Sequence, residues 1–373
     1  MPLRRRAGRA TIAGMTAKAT RSIPFLELPI VQAPMSGPTT PALVAAVSNA
    51  GGLGSLPVGY ESPAAIGAAI AQVRALTARP FAVNLFVDTS GPLAADELAR
   101  AHERLRAYRS ELGIRHPEQP PAHSLSFDEQ FAAVLEARPA VFSFTFGIPE
   151  PAVFEACRSA GIFTIGTANT VDEAVALERA GAGAVCMQGY EAGGHHGNFL
   201  ASFEDSLIGT LALVPQAVDA VSVPVLAAGG IGDGRGVAAV LALGATAAQV
   251  GSAFLLADES GAAPLYRRVL ASDAVKRTTL TRTFSGRHAR GVRNRFIDEM
   301  AAESAIAQYP HQHWLTRDIR SAATAQGRPE FVSMWAGQAV ALAKPLPAAA
   351  IVAILVAEAR AAAAFAASRF AAP

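Results

Sequence analysis

Cysteine is nearly absent from this 373-residue chain: Cys157 and Cys186 are the only two. They fall in segments that read as a helix and a buried strand, without the spacing of a zinc site or a disulfide framework. A reduced, cytoplasmic setting fits that usage. Lysine is almost as rare, at Lys18, Lys276 and Lys344. Charge is thin overall, 17% of residues with a net of +2, which gives no electrostatic footprint for nucleic acid or an anionic membrane surface. No apolar run reads as the roughly 18 residues of a membrane span, because Arg, Glu and Gly interrupt every candidate. What remains is a folded protein with a small-molecule partner. The hydrophobic content, 51%, is ample for a core, and the length fits two modest domains or one large α/β domain with an excursion.

The opening Met1 to Arg21 is rich in Arg, Ala and Thr and lacks acid, a composition shared with transit peptides. Residues 1–23 are expected to form a disordered leader, with Met15 as an alternative start. From Pro24 onward short apolar runs alternate with helical patterns. Strands are expected at Ile30–Ala33, Gly52–Ser55, Phe81–Phe86, Val141–Phe144, Phe163–Gly166, Ala184–Gln188, Val225–Ala228 and Ala248–Val250. Most are continuous apolar runs, the mark of parallel strands covered on both faces. Eight of them with helices between predict an α/β fold, a (β/α)8 TIM barrel over residues 24–257. A doubly wound sheet is the structural rival. Gln32-Ala33-Pro34-Met35-Ser36-Gly37-Pro38 follows the first strand in place of a G-x-G-x-x-G turn, and its prolines cannot donate to a pyrophosphate. An insertion between Asp88 and Asp128, helix-prone over Leu98 to Leu112, lengthens the third strand-to-helix connection toward the rim of a site. Residues 258–345 predict a mainly helical second domain over the barrel mouth, broken at Arg282-Thr283-Phe284-Ser285-Gly286-Arg287. The Ala-rich tail, 346–373, predicts a helix packed on the barrel through Ile351, Ile354, Leu355, Ala362 and Phe365, with Glu358 on the same stripe.

Three strand ends carry chemistry. Met187-Gln188-Gly189-Tyr190-Glu191-Ala192-Gly193-Gly194-His195-His196-Gly197 delivers adjacent imidazoles after flexible glycines. Adjacent histidines rarely face one ion, and no carboxylate or third imidazole stands at metal spacing, so no metal is expected. The Gly-Gly pair places His195 nearest a ligand as the candidate acid/base, with His196 behind it. Ala227-Ala228-Gly229-Gly230-Ile231 and Gln249-Val250-Gly251-Ser252 stand at the last two strand ends, where barrels of this kind often build a phosphate cradle from loop amides. Tight-turn glycine is the plain alternative. Asp233 suits a helix N-cap. Asn84 and Gln188 are amides in otherwise apolar strands; each could bond a flavin pyrimidine edge or a neighbouring strand.

These motifs together resemble the class I nitronate monooxygenases, over nearly the whole chain from about Phe25. The resemblance rests on Pro29-Ile30-Val31-Gln32-Ala33-Pro34-Met35, Asn84, Ser143-Phe144-Thr145-Phe146-Gly147, Gly189 to His195, Ala227 to Ile231, and Ser333-Met334-Trp335-Ala336-Gly337-Gln338. It implies non-covalent FMN and oxidation of alkyl nitronates by O2 to nitrite and a carbonyl compound. On matching positions it implies cofactor contacts from Ala33, Pro34, Met35, Ser36, Asn84, Gln188, Gly193, Gly194, Gly229, Gly230, Gly251 and Ser252. His195 matches the active-site histidine, with Thr145 and His196 on the substrate side or in support. The family pattern has histidine where this chain has Thr145, which can hydrogen-bond but not titrate.

Two rivals use the same residues. An NAD(P)H-dependent FMN reductase acting on quinones or enoyl thioesters would keep barrel and flavin; Trp335-Ala336-Gly337-Gln338 argues against it. A flavin-sequestering module would leave the imidazole idle. A homodimer stays open as a partner reading.

Overall fold

A computed structural model describes residues 22–87, 93–121, 125–301 and 306–370. The expected leader, 1–23, thus lies almost wholly outside the described residues. The strands in chain order are β1 (Ile30–Gln32), β2 (Ser55–Pro57), β3 (Ala82–Phe86), β4 (Val141–Thr145), β5 (Phe163–Ala168), β6 (Ala184–Gln188), β7 (Gly194–His195), β8 (Val225–Ala228), β9 (Ala247–Val250), β10 (Thr278–Thr281) and β11 (Ala289–Val292). Eight of them pair in parallel in the order β1-β9-β8-β6-β5-β4-β3-β2. A single bridge between Val31 and Leu53, with Gln32 N donating to Leu53 O at 2.9 Å, closes the ring between β1 and β2. The fold is a TIM barrel, as the continuous apolar runs predict.

The strands are buried along almost their whole length, and helices cover them. Thr40, Ser62, Ser126, Thr170 and Asp233 each accept a backbone N–H at the start of a covering helix, so the helix origins are written in the sequence as capping residues. One strand lies later than expected: β2 begins at Ser55, not Gly52. Gly54 is the reason, since a Cβ there would stand 2.2 Å from the Val44 carbonyl oxygen. The chain is pressed against its own helix at that point and meets the barrel through Leu53, bonded to β1, and the Gly54 carbonyl, which accepts from Ala82 N of β3 at 2.8 Å.

Two features of the region after the barrel differ from expectation. It is not only helical: β10, β11 and β7 form an antiparallel three-stranded sheet. The insertion also packs into it and is more than a rim. Ala101, Leu105, Tyr108 and Leu112 join Phe284, Phe296, Leu315, Ile319 and Phe331 in one apolar cluster. Buried Arg109 fastens the two parts, donating from Nε to Asp318 at 2.7 Å and from Nη2 to the Leu315 carbonyl at 2.7 Å.

The final helix, Ala348–Ser368, buries Ile351, Val352, Leu355 and Ala359 against the barrel. The expected stripe holds only in its first half, because Phe365 is 67% exposed; the helix outruns the surface it packs on. By length and composition it is apolar enough to cross a membrane, which corrects the expectation that Arg, Glu and Gly interrupt every such run. Glu358 acts locally, accepting the Gly234 amide at 3.0 Å and Lys344 Nζ at 3.1 Å.

Candidate active site

The histidine segment is not a flexible loop. Gly194 and His195 are a short strand paired with Arg290 and Ala289, and Gly194 supplies the positive φ, +77°, that turns the chain into it. Gln188 braces the same turn from the end of β6: its Nε2 donates to the His195 carbonyl at 3.0 Å, and its Oε1 accepts from Gly197 N at 2.9 Å and Asn169 Nδ2 at 3.1 Å. Behind it, buried Glu173 accepts four backbone amides, from Asn169 (2.7 Å), Thr170 (3.2 Å), Phe199 (2.6 Å) and Leu200 (2.9 Å). A carboxylate so placed ties the end of β5 to the chain leaving the histidines.

The adjacent imidazoles have opposite fates. His196 is buried with both nitrogens engaged, Nδ1 with Asn169 Nδ2 at 3.1 Å and Nε2 with Ser206 Oγ at 2.9 Å. It is a support, and burial pushes it down to about 4. His195 has one engaged nitrogen, Nε2, at 2.9 Å from Ser285 Oγ; its Nδ1 has no partner among the described residues. Burial, then the charges of Arg287 and Arg320, push this imidazole down to about 3, so it is neutral across the physiological range.

Aromatic rings enclose it. Phe86 at the end of β3 stacks on Phe146 after β4, centroids 4.7 Å apart. The Phe146, Tyr309 and Trp335 rings stand 5.7, 5.6 and 5.7 Å from His195. Phe146 has φ +84°, a left-handed backbone that costs a non-glycine residue on the order of 1–3 kcal/mol and clusters at functional sites. On its ring lies the Arg287 guanidinium, 4.1 Å from the centroid. Arg287 donates from Nε to the His196 carbonyl at 3.0 Å and from Nη2 to the Asn198 carbonyl, while Nη1 makes no hydrogen bond among the described residues. No carboxylate lies within salt-bridge distance of it among the described residues, and burial lowers it to about 10. Arg320, bonded to Thr316 Oγ1 and the His313 carbonyl, is likewise lowered to about 10 by burial. A cavity of about 340 Å³ lined by Phe146, Asn198, Phe203, Arg282, Arg287 and His288 adjoins the cage. A guanidinium without a carboxylate partner beside a neutral imidazole favours an anion in this space.

The last two barrel strands end in bare amides. Gly229 and Gly230, φ +103° and +71°, and Ile231 donate no hydrogen bond among the described residues, nor do Gly251, Ser252 and Ala253. Asp233 and Glu358 already satisfy the helix start that follows Ile231. The nearby Glu191 carboxylate is spent on Thr210 N and Oγ1. Ser252 Oγ accepts from Gly337 N at 2.9 Å, which leaves its own proton to give. Ala33 and Met35 flank Gly251, their Cβ and Sδ lying 3.5 and 3.6 Å from where its Cβ would be, and Pro34 lies between them. Asn84 Nδ2 donates to Ser143 Oγ at 3.0 Å, and its Oδ1 has no partner among the described residues.

The other expected positions divide. Gly193 is dictated by packing, since a Cβ would stand 2.4 Å from Gly337 N. Ser36 is exposed and makes no hydrogen bond among the described residues. Thr145 pairs with Thr167 across β4 and β5, Oγ1 to Oγ1 3.2 Å. The sequence reading did not single out Phe146, Asn169, Glu173, Ser285 or Arg287. A buried arginine looks like a surface one in sequence; Phe146 lies inside the quoted Phe144-Thr145-Phe146-Gly147 run, while Ser285 and Arg287 lie in Arg282-Thr283-Phe284-Ser285-Gly286-Arg287, which reads in sequence only as a break in the helical pattern.

Comparison with known proteins gives one consistent answer. The nitronate monooxygenase family profile matches residues 18–358. A probable nitronate monooxygenase from Staphylococcus aureus strain JH9 is 43% identical over 325 residues, 87% of this chain and 92% of that protein. A solved structure of nitroalkane oxidase from Streptomyces ansochromogenes superposes with a TM-score of 0.86 at 42% identity, covering 92% of this chain and 98% of that one. FabK from Thermotoga maritima follows at a TM-score of 0.73 and 28% identity, covering 92% and 96%.

Proposed function

Because this chain belongs to the nitronate monooxygenase family, an oxidoreductase family, we propose that it oxidises alkyl nitronates with O2, releasing nitrite and a carbonyl compound, with FMN as cofactor. The observation that carries the reading is the neutral His195 inside an aromatic cage, with the Arg287 guanidinium on the Phe146 ring and no carboxylate within salt-bridge distance of it among the described residues.

The residues present fit a flavin phosphate. Six unbonded amides at the ends of β8 and β9, with the free Ser252 proton, would hold its anionic oxygens. Ala33, Pro34 and Met35 would lie beside the ring system, and Asn84 Oδ1 would accept from a ring N–H. When bound, the flavin supplies the electron acceptor for substrate oxidation.

What the chain supplies is binding and proton handling. Arg287, through Nη1, and the Arg320 charge stabilise the nitronate anion. Phe86, Phe146, Tyr309 and Trp335 keep water from it, which strengthens those interactions. Toward a neutral nitroalkane, His195 takes the α-proton; toward a pre-formed nitronate it need only remain near the anion. The buried, free thiols of Cys157 and Cys186 suit a reduced, cytoplasmic placement.

A visible spectrum of the purified protein, paired with nitrite release from ethyl nitronate under air, tests cofactor and reaction together. The expected outcome is a flavin spectrum with FMN on release and stoichiometric nitrite. A colourless protein that takes up no FMN would overturn the cofactor. Rapid anaerobic bleaching by NADPH without nitrite formation from nitronate would transfer the barrel to the reductase reading.

A further inference from the structure

The turn between β10 and β11 brings Ser285 to His195, and a count of its single hydroxyl proton decides which imidazole nitrogen is the base. Ser285 is buried, and its Oγ lies 3.1 Å from the Arg287 carbonyl and 2.9 Å from His195 Nε2. The Arg287 carbonyl receives no other hydrogen bond among the described residues. One proton cannot serve both neighbours. If it goes to the carbonyl, Ser285 Oγ is an acceptor and His195 must donate from Nε2–H, so both bonds form. If it goes to Nε2, the part-buried carbonyl loses the one hydrogen bond it receives among the described residues, at a net cost of about 1 kcal/mol.

We infer that Ser285 is a positioning residue that fixes His195 as its Nε2–H tautomer and leaves the unpartnered Nδ1 as the proton acceptor. The neighbouring histidine shows the same device without the vacancy. Ser206 gives its proton to the Phe203 carbonyl at 2.7 Å and accepts from His196 Nε2, but Asn169 occupies His196 Nδ1. Of two adjacent imidazoles in the same tautomer, only His195 has a lone pair to offer. In the proton transfer, the α C–H bond of a nitroalkane breaks and an Nδ1–H bond forms. The electron pair stays on the substrate as the nitronate, and Nε2–H remains on Ser285. This catalytic use rests on the proposed nitroalkane reaction; the tautomer itself does not.

The test is nitrogen NMR of the FMN-loaded protein labelled with 15N-histidine, with His195 identified by its loss in His195→Asn. At pH 7, His195 should show a protonated Nε2 and a lone-pair Nδ1. A proton on Nδ1 would overturn the inference in the unaltered protein, whatever Ser285 variants do. In Ser285→Ala, the buried Nε2 loses its acceptor. The tautomer should move toward Nδ1–H, and kcat/KM for nitroethane should fall about 10- to 100-fold, up to the lower end of what a positioned base contributes. Turnover of ethyl nitronate should fall by less than about 3-fold, because no proton is removed. Equal losses on both substrates would reduce Ser285 to a structural part and overturn its positioning role. A protein with the assigned tautomer that releases nitrite from neither substrate would refute the proposed function while upholding the tautomer.

Discussion

Glu173 is the buried carboxylate whose replacement is most informative about how the site is held. Each of its oxygens accepts two backbone amides, Oε2 from Asn169 and Thr170 and Oε1 from Phe199 and Leu200. Glu173→Gln preserves the shape but turns one oxygen into an NH2 group, which faces two N–H donors it cannot accept from. Hydrogen bonds to a charged group contribute about 1.5–3 kcal/mol each, so losing two predicts a loss of about 3–6 kcal/mol. In a chain of this size that corresponds to a fall in Tm on the order of 10 °C. Thermal unfolding followed by circular dichroism measures it directly. A Tm within about 2 °C of the unaltered protein, below what one lost bond of this kind produces, would refute the claim that this carboxylate fastens the histidine segment to β5.

Two other outcomes follow from the same geometry. Arg287→Met keeps apolar contact with Phe146 but removes the charge, and KM for ethyl nitronate should rise about 10- to 100-fold, the worth of one charge-assisted hydrogen bond; steady-state kinetics showing an unchanged KM would exclude Arg287 as the anion's partner. Stability should fall as pH drops from about 6.5 toward 4. The unfolded histidines take up protons near 6.5, whereas burial holds His195 near 3 and His196 and His288 near 4. The unfolded chain therefore binds more protons in that window and gains on the folded one. Urea midpoints that do not decline between pH 7 and pH 5 would contradict this.

The barrel was legible because its strands are continuous apolar runs and its helices start on Thr, Ser and Asp caps. Glycines at Gly229, Gly230 and Gly251 marked the strand ends that carry bare amides. Elements outside the barrel were harder to read. Thr278–Thr281 has three threonines in four residues and Ala289–Val292 buries an arginine, so neither has the alternation of a surface strand or the apolar run of a core one. Gln188 looked like a ligand contact because a buried amide needs partners; its partners are the His195 carbonyl, Gly197 and Asn169. Ser285 and Arg287 were hidden because their importance comes from a turn that folds back over the barrel mouth, a long-range placement that local pattern does not encode.

The central claim is that His195, a neutral imidazole, removes a proton from the substrate in this family's barrel. Nitrite release by the unaltered protein and by His195→Asn, each given nitroethane and ethyl nitronate in parallel, tests it most directly. The predicted result is activity on both substrates for the unaltered protein. The variant should lose about 100-fold or more on nitroethane, the lower end of a general base's contribution, with a loss under about 10-fold on the nitronate. Equal losses on the two substrates, or full nitroethane activity in the variant, would contradict it.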